Sequence, residues 1–177
     1  MSEIATPSAN ANASAMPALA DEFRLAMRRL AGGVCIITGL ADGTRLGITA
    51  TAVCSLSADP PSLLVCINQR SSLCAALAPG RAFCINVLNG DQADIASSFG
   101  SNRAQPERFL GNDWRCFDDG IPYLPDAQCS IRCCVDGMID YGSHRIFIGK
   151  AGAIHISDPF HPLVYGNGAY HHLHPVT

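Results

Sequence analysis

Residues 129–157 read CSIRCCVDGMIDYGSHRIFIGKAGAIHIS. Aliphatic and β-branched residues run through both halves, and Tyr141-Gly142-Ser143 punctuates the middle. Such a pattern predicts two long antiparallel strands joined by a tight turn, with His144 where the second strand begins. Shorter runs of the same kind lie upstream. GVCIITGL (33–40) is followed by the turn signal Ala41-Asp42-Gly43 and then by RLGITATAV (45–53). SLLVCIN (62–68) follows Pro60-Pro61, and AFCINVL (82–88) follows Pro79-Gly80. PLVYGNGAYHHL (162–173) predicts a last strand and an irregular end. The connections are mostly too short for repeated parallel crossovers. The fold expected is mainly β, an antiparallel barrel with a few short helices.

The helical signals are few. In ADEFRLAMRRLAGG (20–33), Phe23, Met27 and Leu30 recur at the spacing of one helical face, and Gly32-Gly33 end the pattern. SSLCAALA (71–78) predicts a short helix capped by Ser71 or Ser72. DQADIASSF (91–99) predicts another, starting at Asp91. The stretch from Gly100 to Pro125 reads as loops and holds the only tryptophan, Trp114. Residues 1–19 are rich in Ala, Ser, Asn and Pro and lack a basic segment followed by an apolar one. They read as a disordered tail rather than a signal peptide, ahead of a single domain over 20–177.

Composition narrows the function. The net charge is −3 and the twelve basic residues are scattered, so nucleic acid is not an expected partner. No apolar run reaches the length of a membrane span, and no membrane association is expected. Only 15% of residues are charged, which suits a chain that hides part of its surface in an oligomer. Nine cysteines, an odd number without a CxxC pair, sit mostly in apolar runs. They read as reduced, buried thiols of a cytoplasmic protein.

No self-sufficient catalytic motif is present: no GxSxG, HExxH, Walker loop or strand-borne GxGxxG. In Gly47–Pro61, GITATAVCSLSADPP, small and hydroxylated residues alternate. Small side chains let a flat ligand approach the backbone, and hydroxyls bond its polar edge. A Thr-rich edge strand would look the same. Asn68-Gln69-Arg70-Ser71-Ser72 leads into a helix and reads equally as a cap or an anion site. His144 is either a site residue or an ordinary turn histidine. The terminal HHLH (171–174) reads as a solvated end.

In their order and spacing, GVCIIT, GITATAVCSLSADPP, LLVCINQRSS, FCINVLNGDQADIASSF, Glu107-Arg108-Phe109 before Trp114, GSHRIFIGKA and PLVYGNGAY resemble the short-chain flavin reductases. These are the reductase components of two-component flavin monooxygenases. The resemblance runs from about Phe23 to Leu173. It departs at Ser143, where relatives carry an acidic residue beside the histidine, and at Ala169, where relatives often have Arg or Lys.

The resemblance implies an FMN-binding split β-barrel and a homodimer. It implies FMN or FAD as the flavin, NADH or NADPH as the hydride donor, and a flavin-dependent monooxygenase that receives reduced flavin. Gly47, Thr49, Ala50, Thr51, Ala52, Cys54 and Ser55 would line the flavin ring, with Phe99 also in the site. Asn68, Arg70, Ser71 and Ser72 would meet the phosphate. His144, the one catalytic candidate, and Tyr170 would face the nicotinamide. Reduction of another acceptor, a corrinoid or ferric complex, or flavin binding without turnover are the competing functions.

Overall fold

A computed structural model describes residues 9–176 of the chain. Helix α1 spans Ala9–Met27; residues 1–8 lie outside the described residues, and residues 9–19 of the expected tail are helical. The strands follow: β1 (Gly32–Gly33), β2 (Cys35–Ala41), β3 (Thr44–Ala50), β4 (Val53–Ala58) and β5 (Pro61–Asn68). After α2 (Ser72–Ala76) come β6 (Ala82–Val87), α3 (Ala93–Gly100), α4 (Gln105–Arg108) and the small pair β7 (Arg115–Cys116) and β8 (Pro122–Tyr123). The long hairpin β9 (Cys129–Tyr141) and β10 (His144–Ile156) is followed by β11 (Leu163–Gly166) and β12 (Ala169–His172).

Seven strands form one antiparallel sheet in the order β3-β2-β6-β9-β10-β5-β4. The sheet curls until its two ends approach, but it does not close. RLGITATAV, which composition predicts as one strand, is broken at Thr51-Ala52. Before the break it pairs with β2, Cys35 opposite Ala50; after it the chain pairs with β5, Val53 opposite Val65. The Cys66 N–H donates to Ala52 O at 3.0 Å across this step. The bend is invisible to propensity because Thr, Ala and Val all tolerate extended backbone.

Alternation along β2 builds two cores. Cys35 and Ile37 face the barrel interior with Val65, Ile67, Phe83, Ile85 and Phe147. Val34 and Ile36 face outward, under α3 and the loops after it, with Leu88, Phe99, Phe109, Trp114 and Leu163. The rings of Phe99, Phe109 and Trp114 contact each other in pairs at 5.0–5.3 Å, with the two contacts to Phe109 edge-on. Buried Asn86 ties the two layers together. Its Nδ2 donates to Ile36 O at 3.0 Å, and its Oδ1 accepts from Leu124 N and Ser130 Oγ, both at 2.9 Å.

Two further details differ from the sequence reading. The C-terminal stretch is a hairpin, with Asn167 and Gly168 at positive φ in its two-residue turn. His171 and His172 therefore belong to a strand, and the His172 ring stacks on His161 at 4.9 Å. The helix also stops at Met27, so Leu30 lies beyond it, and Phe23, Met27 and Leu30 are all open to solvent within one chain.

Candidate functional site

A cavity of about 540 Å³ opens where β3 breaks away from β2. Thr49, Ala50, Thr51 and Ala52 form one wall, and Cys66 and Asn68 at the end of β5 form the floor. Arg70 and Ser71 stand at one rim, His144 at another, and Phe99 to Asn102 with Arg108 close the far side. Residues distant in sequence converge because β5, β10 and the break in β3 meet at one end of the sheet. His144 pairs in register with Asn68, which fixes their spacing.

The wall is built for close approach. Alanines at 50 and 52 leave the backbone accessible. The N–H groups of Thr51 and Ala52, between two strands, find no protein acceptor among the described residues. Thr49 is engaged, its hydroxyl donating to Ala96 O at 2.6 Å. Ser71 caps α2 by accepting from Cys74 N at 3.1 Å, and Asn68 Oδ1 accepts from Arg70 N at 2.9 Å. The Arg70 guanidinium makes no ion pair among the described residues. Ser143 Oγ lies 2.9 Å from His144 Nδ1, so a hydroxyl replaces the expected acid as that ring's partner.

Arg108 is the site residue that sequence reading did not single out. Its Nε donates to Arg103 O, its Nη1 to Gly47 O and Phe99 O, and its Nη2 to Ser101 O, at 2.8–3.0 Å. Burial pulls its pKa below the usual arginine value. Four of its five N–H groups are thereby committed to carbonyls, which leaves one N–H on Nη2. The only sequence signal was its place in Glu107-Arg108-Phe109 before Trp114. Gly100, Ser101, Asn102 and Cys66 were likewise missed, since nothing local marks them.

The remaining candidates lie outside the cavity. Gly47 is buried behind its wall, donating to Gln105 Oε1 at 2.8 Å and accepting from Arg108. The Ser72 hydroxyl accepts from Gln105 Nε2 at 3.2 Å. Cys54 and Ser55 line a separate apolar cavity of about 420 Å³ beside β4. Tyr170 packs edge-on against Tyr165 at 5.3 Å, on the other sheet. A short break in β3 redirects every residue after it, which is why the tail of GITATAVCSLS leaves the cavity that its start lines.

The cavity lining contains two arginines and one histidine and no carboxylate. In a chain of net charge −3, that is a local reversal of sign suited to an anion. Among the described residues no group of three or more His, Cys, Asp or Glu could hold a metal. The structure therefore defines an open antiparallel barrel with a positively lined cleft at a strand break.

The chain belongs to the flavin reductase like domain family, whose profile matches residues 27–174. It is 39% identical over 150 residues to the reductase component of the FADH(2)-dependent resorcinol hydroxylase of Rhizobium sp. (strain MTP-10005), covering 84% of each chain. It is 39% identical over 151 residues to the FMN reductase (NADH) RutF of Pseudomonas syringae pv. syringae (strain B728a), covering 85% of each. Among solved structures, nitrilotriacetate monooxygenase component B from Mycobacterium thermoresistibile superposes with a TM-score of 0.83 at 31% identity. That match covers 90% of this chain and 89% of the other.

Proposed function

We propose that this chain is an NAD(P)H-dependent flavin reductase whose flavin occupies the cavity at the break in β3. The observation that carries the reading is the lining itself: small residues and free backbone N–H groups on one wall, arginines at the rims, and no carboxylate. A flat, hydrogen-bonding ring with an anionic tail matches that distribution. A flavin held there would supply the acceptor for the hydride of NAD(P)H. The wall at Ala50–Ala52 holds the ring by close approach and by the N–H groups of Thr51 and Ala52. Asn68, Arg70 and Ser71 would meet the phosphate, and Arg108 would add positive charge on the far side of the cavity. His144 stands on the open side, where the nicotinamide would lie, and orients it.

Both FMN and FAD suit the reading, since the names of the two relatives divide between them. NADH, the donor in the name of one relative, is the first to test. By analogy with the resorcinol hydroxylase component, the reduced flavin passes to a flavin-dependent monooxygenase, and the working form is a homodimer. Nine free cysteines fit a reducing, cytoplasmic setting. No helix among the described residues is long and apolar enough to cross a membrane.

The direct test adds FMN or FAD and NADH or NADPH to purified protein and follows the nicotinamide absorbance band. Oxidation that requires flavin alone is the expected outcome. Flavin binding without oxidation would leave a binding module, and oxidation that also needs a corrinoid or ferric acceptor would change the substrate.

A further inference from the structure

Asn68 and Arg70 line the cavity at the break in β3, and Gln69 between them does not. Gln69 engages the tip of the β9–β10 hairpin instead. Its Nε2 donates to His144 O at 3.0 Å and lies 3.5 Å from Gly142 O. Its main-chain N–H donates to Ser143 O at 3.0 Å. One residue thus meets the carbonyls of Gly142, Ser143 and His144 in succession.

These bonds begin where the regular ladder ends. The pairing of β5 with β10 runs from Ser62 opposite Lys150 to Asn68 opposite His144. Beyond that pair the chain enters the turn, with Gly142 at φ +55°. Among the described residues, every hydrogen bond that reaches Gly142 or Ser143 from outside the hairpin comes from Gln69. The His144 ring takes its own support from the same turn, with Ser143 Oγ 2.9 Å from Nδ1. Whatever holds the Ser143 main chain therefore also aims the ring. Nε2 of that ring has no protein partner among the described residues, and His144 lines the cavity. Gln69 itself is exposed, so its amide adds little to the stability of the whole fold. Its bonds all fall on the turn that carries His144.

We propose that Gln69 is a positioning residue for the hydride donor. It clamps the Gly142–His144 turn onto the end of β5 and thereby fixes the His144 imidazole at the cavity rim. The spacing between the phosphate rim, Asn68 and Arg70, and the nicotinamide side is then set by the residue that joins them. The clamp stands on the hydrogen bonds alone; its use in donor binding rests on the reductase reading above.

The test uses Gln69→Met, which keeps the length of the side chain and removes its N–H donors. In isotopically labelled protein, the ring-nitrogen NMR signals of His144 are assigned by their loss in His144→Ala. They are expected to shift in Gln69→Met while those of the other histidines stay in place. The KM for NADH is expected to rise about fivefold, with kcat within about twofold and the Kd for FMN unchanged. In a His144→Ala background, Gln69→Met should leave the KM for NADH as it is, because the two residues act through one ring. Unmoved His144 signals in Gln69→Met would overturn the clamp. A rise in KM that persists in the His144→Ala background, or an equal loss of FMN affinity, would overturn the positioning role. Shifted signals with an unaltered KM for NADH would overturn that role and leave the reductase reading standing. Shifted signals in a protein that oxidises no NADH support the clamp and overturn the reductase reading.

Discussion

At the scale of single residues, Gly47 shows how a site can depend on an atom that is absent. A Cβ there would fall 2.4 Å from Phe99 Cε1 and 3.3 Å from Phe109 Cζ. Gly47→Ala should therefore push the aromatic group outward and cost about 1–3 kcal/mol. A thermal melt would read this as a fall in Tm of several degrees. Flavin affinity should fall with it, because Arg108 is bonded to Gly47 O and to the loop that lines the cavity. Arg70 and His144 separate by chemistry. Arg70→Ala should weaken FMN about tenfold but leave riboflavin, which has no phosphate, nearly unchanged in a fluorescence titration. His144→Ala should raise the KM for NADH more than the Kd for flavin. Equal loss of both, or no loss of either, would remove His144 from the nicotinamide side.

At the scale of elements, the strands were legible and the cavity was only half so. LLVCIN announces a strand by burying every second residue, and VCIIT by a short apolar run buried on both faces. Ser71 announced its helix because a cap needs only its own neighbours. The break at Thr51-Ala52 carries no such mark, and Arg108 and Ser101–Asn102 reach the cavity through tertiary contacts that no local spacing encodes. The thiols, read as buried, were legible only in part: four of the nine are buried, three are half-buried and two are exposed. Cys35, Cys84 and Cys133 are buried in the sheet, while Cys54 and Cys116 are exposed. Burial pushes the Cys35 and Cys133 thiols up from 9.0 to about 12. Above pH 9 the unfolded chain ionises these thiols while the folded one keeps them protonated. The stability they contribute is thus intact below pH 9 and is lost as pH rises toward 12. Urea melts across that window should show a falling midpoint, less steeply in Cys35→Ala. Native alkylation at pH 8 should mark Cys54 and Cys116 and spare the buried Cys35, Cys74, Cys84 and Cys133.

At the scale of the whole molecule, too much apolar surface is left open for one chain alone. Ile139 and Tyr141 at one end of the β9–β10 hairpin, Ile154 and Ile156 at the other, with Leu56, Phe160 and the α1 face of Phe23 and Leu30, are all exposed. The proposed homodimer would cover apolar side chains left open in this way. Sedimentation should give about twice the 18.7 kDa of one chain, and a monomer at micromolar concentration would sink the homodimer. The two-residue step in β3 has a consequence at this scale as well. Thr51 and Ala52 line two cavities at once, so a substitution at either position reshapes both. A screen that varies 51 and 52 to change the first cavity therefore also changes the one that Phe23 and Tyr165 line.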